Sequence, residues 1–461
     1  MKARAEAVIV GAGIAGISSA FHLAVRKGLR DIVLVEAGDP LALTSDKSTE
    51  CYRNWWPGPD DAMLRLMNRS IDLLEDIERE SGGRPRLNRR GYLYATADPE
   101  RIDTLLANGR RAEIQGAGPL RVHDVGSSGV DWMPSPTQGI AGAPEGADLV
   151  LDPDLIHKRF PWLAADIVAC LHARRCGWLS AQQLGMYLLE DARKYGVELI
   201  RGEVRGVDLA GGRVRSVRIA SASGEDICIE SERLLLSTGP HLASSARELL
   251  GIELPVVCER HLKVAFRDHA QAIPGDAPLM VWADPVELPW TKEERAELEA
   301  SPEERWLLEP FPAGVHGRPE GRPGEHWLLI LWTFDARPAP PTFPLPLCES
   351  LAEIALRGWS RMIPALGRYF ERLPKMIVDG GYYVRTPENR PLIGPLPVEG
   401  AWVNAAWSGF GIMGGCAGGE LIANWIAQDK MPPWTRAFHP ARFDDPAYLE
   451  RFAQADDDGQ L

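Results

Sequence analysis

Cysteine is scarce: seven in 461 residues, at positions 51, 170, 176, 228, 258, 348 and 416. They are odd in number, scattered, and contain no C-x-x-C pair, which argues against a disulfide framework, a zinc site or a redox-active dithiol. Apolar runs of membrane-spanning length are missing too, so no segment reads as a span. Positive charge is in deficit, with 51 Lys and Arg against 64 Asp and Glu and a net charge of -13. That balance offers no footprint for nucleic acid or anionic lipid. There is no internal repeat, and the acidic "ADDDG" near the C-terminal end is the one low-complexity tract. The opening "MKARAEAVIVGAG" enters a strand pattern without the basic, apolar and cleavage regions of a secretory leader, and the expectation is a cytoplasmic protein with reduced thiols. Hydrophobic residues at 45% and charged ones at 25% describe an ordinary globular chain, long enough for two cores and therefore two domains.

The first forty residues carry the strongest pattern. "EAVIVGAGIAGISSAFHLAVRKGLRDIVLVEAG" runs from an apolar strand into G-x-G-x-x-G (Gly11, Gly13, Gly16), an amphipathic helix, a second strand and an acid, Glu36. Gly11 suits the tight turn, Gly13 leaves room for a pyrophosphate over the helix N-terminus, and Gly16 lets helix and strand approach. Glu36 can accept hydrogen bonds from a ribose hydroxyl. This is a complete dinucleotide-binding βαβ unit, and its residues alone leave FAD and NAD both open.

Residues 62–80 repeat apolar side chains at helical spacing and stop at "SGGRP". A strand, "RRGYLYAT", follows; later, residues 176–219 read as helix, strand and hairpin strand. "RLLLSTGP" at 233–240 reads as a buried parallel strand ending beside the nucleotide. From Pro255 the pattern becomes antiparallel, with "PVVCERHLKVAFRD" and "EHWLLILWTFD" as long strands. Between them a charged, Pro-rich stretch at about 284–324, with the polar helix "TKEERAELEASPEERW", reads as an insertion or flap, or as a solvated hairpin without a role.

Residues 380–427, "GGYYVRTPENRPLIGPLPVEGAWVNAAWSGFGIMGGCAGGELIANWIA", make the reading specific. With the N-terminal unit they resemble the D-amino-acid oxidase and sarcosine oxidase (glycine oxidase-like) superfamily of FAD-dependent oxidoreductases. Members carry T-P-D-x-x-P-x-I-G-P followed by a glycine-rich helix start; Glu388 stands here where Asp is common. The resemblance covers almost the whole chain. It implies an α/β fold with a discontinuous Rossmann-like FAD domain (1–90, 176–254 and 386–461) and an antiparallel-sheet α+β substrate domain (91–175 and 255–385). It also implies that Val204 meets the adenine through its backbone, that Gly239 lies near the adenosine, and that Gly409, Gly411, Ile412 and Met413 bring amides and a helix N-terminus to the flavin's pyrimidine edge. Ile14, Ala15, Ala37 and Thr238 are counted with them as cofactor-binding. Aromatic hydroxylases and disulfide reductases fit poorly, because their second glycine box or reactive cysteine pair is absent.

In the family, the segment after the second strand wraps the pyrophosphate and passes under the flavin, which is where "TSDKSTECYRNWWPGPDD" (44–61) falls. Thr44, Ser45, Lys47 and Ser48 are the donors a phosphate and ribitol chain requires. Arg53 occupies the position of the arginine in the similar G-V-R-Q-Q-F stretch of the beta-type sarcosine oxidase branch. It suits stabilising a flavin anion, pairing with a substrate carboxylate, or a structural salt bridge. Monomeric sarcosine oxidases attach FAD through a cysteine where this chain has Gly381, and no histidine lies between His22 and His123, so non-covalent FAD is expected.

For an amine substrate the protein must hold a C–H bond over the flavin and keep the nitrogen neutral. Tyr383 can orient a carboxylate, with Tyr382 beside it. Strand alternation puts His261, Lys263 and Ala265 on one face, and Lys263 can activate dioxygen or anchor a carboxylate. Trp55 and Trp332 are candidates for pocket walls or for core. The leading expectation is an FAD-dependent amine or amino-acid oxidase or dehydrogenase forming an imine by hydride transfer. Oxidation of a 2-hydroxy acid, or a flavin-holding assembly protein without turnover, stays open, as do the electron acceptor and the oligomeric state. No metal is called for.

Overall fold

The computed structural model describes residues 3–126, 132–321, 324–348 and 350–453; the "ADDDG" tract lies outside them. Two large sheets organise the chain. The eight-stranded one has at its centre Ala7–Val10, whose four residues are all buried, pairing in parallel with Ile32–Glu36 on one side and Leu234–Leu236 on the other. Val197–Ala210 and Ala401–Ala405 extend the parallel core, and Arg213–Ser221, Asp226–Glu230 and Leu392–Pro395 add antiparallel edges. Burial on both faces explains why "AVIV", "IVLVE" and "LLL" are continuous apolar runs with no polar alternation.

The glycine turn after the first strand is as tight as its sequence requires. Gly11 has φ +99°, and a Cβ there would lie 2.4 Å from the Ser237 carbonyl oxygen; one on Gly16 would lie 1.9 Å from the Gly11 carbonyl oxygen. Only glycine lets helix Ile14–Phe21 sit this close to the strand ends. Helix Ala62–Glu80 buries Leu66, Met67, Ile71, Leu74 and Ile77 along one face and packs on helix Gly411–Ile426. Each such side chain contributes about 1.5–3 kcal/mol on burial.

The nine-stranded sheet has the order Met376–Arg385, Val257–Arg267, Trp327–Leu331, His316–Glu320, Leu279–Trp282, Tyr92–Thr96, Ala169–Ala173, Ala147–Val150, Leu120–His123. It is mainly antiparallel, with two parallel pairings. Helix Leu351–Ser360 covers one face. All nine strands come from 91–175 and 255–385, and all eight of the first sheet from 1–90, 176–254 and 386–461. Cys51–Arg53 and Cys176–Trp178 pair as a separate short ribbon.

The stretch read as an insertion at 284–324 is only partly surplus. Its helix Lys292–Ala300 forms behind a reciprocal cap between Thr291 and Glu294. Its last part, His316–Glu320, is a strand in the interior of the nine-stranded sheet, between Leu279–Trp282 and Trp327–Leu331. Charged and proline residues flank that strand, which hid it among loop-like sequence.

Candidate functional site

Three cavities run in succession from the ends of the parallel strands to the nine-stranded sheet. The first, about 380 Å³, is lined by Gly11, Gly13, Glu36, Ala37, Val204, Thr238 and Gly239, with Thr44 and Ser45. The Glu36 carboxylate accepts from the Ala12 amide at 2.7 Å and the Gly38 amide at 2.9 Å, which fixes it at the cavity wall. A Cβ on Gly13 would meet nothing closer than Ser45 Oγ at 3.3 Å, so the glycine faces space instead of packed backbone. Ser45 Oγ accepts from the Ile14 amide at the helix N-terminus, at 3.0 Å.

The second cavity, about 90 Å³, continues from Gly13, Ile14, Ala15, Thr44, Ser45 and Ser48 to Tyr382, Tyr383, Ser408, Gly409, Gly411 and Ile412. Helix Gly411–Ile426 points its N-terminus here without a side-chain cap. The amides of its first turn therefore present a positive helix end to the cavity. Among the described residues, Ser237 Oγ, Thr238 Oγ1 and Ser408 Oγ are buried without a hydrogen-bond partner, and they lie along these two cavities. Unpartnered hydroxyls, an open glycine and a bare helix end suit an elongated, polar and anionic ligand such as a dinucleotide.

The third cavity, about 50 Å³, is lined by Ser48, Cys51, Arg53, Tyr92, His316, Thr333, Tyr383, Gly409 and Met413. Arg53 is 4% exposed; its Nη1 donates to the Tyr94 hydroxyl at 2.9 Å and its guanidinium lies over the Trp56 ring at 4.4 Å. Trp56 is thus the shelf of Arg53. His316 Nδ1 donates to the Gly314 carbonyl at 2.9 Å, which leaves Nε2 as an acceptor. Burial, with the Arg53 cation acting in the same direction, lowers its pKa to about 4, so His316 is neutral at physiological pH. The Tyr383 ring stacks on His261 at 3.9 Å and touches Gly409, where a Cβ would lie 2.6 Å from the ring.

Several expected residues have other tasks. Lys263 Nζ donates to the Asp46 and Ser48 carbonyls, both at 3.1 Å, and so holds the 44–50 loop from the nine-stranded sheet; it does not line the third cavity. Arg318 does the same through Nε to the Thr49 carbonyl at 2.8 Å. Lys47 turns to Asp379 at 3.1 Å. Trp55 is buried in the core. Trp332 faces helix Leu351–Ser360, where its ring lies against Gly358, because the opposite parity of that strand, Leu331 and Thr333, meets the cavity. Tyr382 lines the second cavity and its hydroxyl accepts from the Thr342 amide at 3.0 Å. The sequence does not single out His316, Tyr92 or Thr333; the first two are lone residues on strands and the third lies just past the end of one, and sheet pairing brings them together.

Comparison with known proteins agrees with this fold. Mitochondrial dimethylglycine dehydrogenase of Rattus norvegicus is 25% identical over 436 residues, covering 94% of this chain; the chain spans 44% of that relative's length. L-proline dehydrogenase from P. horikoshii superposes with a TM-score of 0.72 at 18% identity, covering 96% of this chain and 99% of that one. Glycine oxidase from Geobacillus kaustophilus gives 0.68 at 17%, covering 95% and 99%. The family model described as FAD dependent oxidoreductase matches residues 6–425, so the chain belongs to that family and is an FAD-dependent oxidoreductase.

Proposed function

We propose that the protein oxidises the C–N bond of a small amine or amino acid to an imine, which water then hydrolyses. FAD is held without a covalent bond in the first two cavities, and the substrate in the third. The observation that carries this reading is the pairing of a buried guanidinium, Arg53, with a neutral imidazole acceptor, His316, in one small cavity at the helix end. Dimethylglycine, glycine and L-proline, named in the similar proteins, each join an amine nitrogen to a carboxylate, the two groups that such a pair suits.

Bound FAD supplies the hydride acceptor. The chain's own part is to bind and orient. Arg53 anchors the carboxylate through charge-assisted hydrogen bonds, Tyr383 and Met413 close the cavity, and His316 accepts a hydrogen bond from the nitrogen. The amides of Gly411, Ile412 and Met413 favour negative charge at their end of the second cavity. Ser237, Thr238, Ser45 and Ser48 offer hydroxyls along the cofactor's polar length. The two sheets correspond in this reading to a cofactor lobe and a substrate lobe.

Anaerobic mixing of the purified yellow protein with panels of amines, amino acids and 2-hydroxy acids, followed by flavin absorbance, tests the reading. Bleaching by amines or amino acids is the expected outcome. Bleaching by hydroxy acids alone assigns the cavity to C–O oxidation, and silence throughout points to a flavin-holding role without turnover.

A further inference from the structure

A substrate amine arrives mostly as an ammonium, since alkyl amines hold their proton until about pH 10. Its nitrogen lone pair must be freed before the C–N bond can gain double-bond character. We propose that Thr333, backed by His261 and Glu259, takes that proton; the inference rests on the amine reading above.

Thr333 lines the third cavity, and its Oγ1 lies 2.9 Å from His261 Nδ1. His261 Nε2 faces Glu259 Oε2 at 3.3 Å, and Glu259 in turn meets Arg385 Nη1 at 3.3 Å. Both side chains behind the cavity wall are held: His261 is 2% exposed and stacked on Tyr383, and Glu259 is 5% exposed. A carboxylate can only accept, so His261 carries its hydrogen on Nε2 and its Nδ1 accepts from the Thr333 hydroxyl. The threonine oxygen then keeps its lone pairs for the cavity. Acid, imidazole and hydroxyl stand in the order that makes a hydroxyl a proton acceptor.

In the step, the substrate N–H bond breaks as its proton passes to Thr333 Oγ1, and the hydroxyl's own proton passes to His261 Nδ1. Nitrogen keeps the electron pair, nothing is oxidised or reduced, and the imidazolium formed is paired with Glu259.

His316 is the competing acceptor in the same cavity, and electrostatics decides against it. Its Nδ1 is held by a neutral carbonyl and the Arg53 cation opposes a second positive charge. The groups facing His261 are Glu259 on its own strand, Tyr383 and Arg385 on the next, Thr333 across, and the neutral His316. Burial lowers the His261 pKa, which keeps it neutral at rest; Arg385 acts in the same direction but more weakly than Glu259, which opposes the shift and stabilises the protonated form. His316 therefore orients the nitrogen and Thr333 receives its proton.

The test uses holoenzyme and an amino acid that reduces it. Anaerobic reduction rates from about pH 6 to about pH 10 are compared for wild type, Thr333→Val, Thr333→Ser and His261→Gln. Valine keeps the shape and removes the hydroxyl. Thr333→Val should lose about 100-fold in rate near pH 7 and recover near pH 10, where the free amine binds unaided. Serine should restore the wild-type profile, and His261→Gln should follow valine. Independently of turnover, nitrogen NMR of the oxidised holoenzyme should find His261 as the neutral Nε2–H tautomer, with its Nδ1 signal moved by Thr333→Val. A folded Thr333→Val enzyme with the wild-type pH profile overturns the relay, as does an Nδ1–H tautomer of His261. Failure of every amine to reduce the wild type overturns the function reading and the relay together.

Discussion

Arg53→Met is the substitution that separates anchoring from architecture. Methionine occupies much of the same volume but removes the hydrogen bond to Tyr94 and the contact over Trp56. These are worth about 1 kcal/mol each. Relief of a buried charge offsets part of that loss, so the variant should fold, bind FAD and melt only a few degrees lower. The kinetic cost is larger and selective. A charge-assisted, bidentate hold on a carboxylate in a water-poor cavity is worth roughly 2–4 kcal/mol, or about 30- to 1000-fold in rate. Stopped-flow reduction should be run with an amino acid and with the amine that lacks its carboxylate. The amino acid should lose about 30- to 1000-fold and the simple amine little. Arg53→Lys should recover only part, because a point charge cannot reproduce the planar fork. Equal loss for both substrates, or no loss for either in a well-folded variant, would refute the carboxylate assignment.

Other consequences are as direct. Gly13→Val should give colourless protein, since its branched side chain fills the space into which that glycine opens; a yellow variant with normal FAD affinity, measured by fluorescence titration, contradicts the cofactor placement. Acid precipitation should release all flavin as free FAD, and colour retained in the pellet would disprove the non-covalent attachment. Lys263→Met should lower FAD affinity more than it lowers the rate of the loaded enzyme, because the lysine holds the 44–50 loop; equilibrium dialysis beside stopped-flow decides. Burial pushes the Glu50 carboxyl up to about 7. An acid with a raised folded pKa costs stability as pH rises from its ordinary value through about 7. Glu50→Gln should thus stabilise the protein above neutrality by about 1–2 kcal/mol after allowance for partial exposure, with no gain near pH 4. Melting curves at both pH values check it, and an equal shift at both contradicts the burial argument.

The sequence made the cofactor half legible because that half is built from local signals. Gly11, Gly13, Gly16 and Glu36 lie within 26 residues, and helix Ala62–Glu80 has both ends marked by composition. The third cavity is the opposite case. Arg53, Tyr92, His316, Thr333 and Tyr383 come from five separate segments and converge only through sheet pairing. Period-two alternation states which residues share a face but not which face meets the cavity. For Trp332 the sequence leaves wall and core both open, and the helix on the other side claims it. Lys263 was read from its strand face alone, and the partner that occupies it, a loop more than 200 residues earlier, has no sequence signature.

The order of the strands also bears on how the protein matures on the ribosome. The first sheet is completed by Ala401–Ala405, which pairs with Leu234–Leu236, and the bare helix end that closes the second cavity starts at Gly411. A nascent chain therefore has its glycine turn early but cannot hold the dinucleotide until some four hundred residues have emerged. Lys263 and Arg318 must also be in place before the 44–50 loop is held. If FAD binds as proposed, its capture reports on completed synthesis, and prematurely terminated chains should lack the ligand's stabilising mass action.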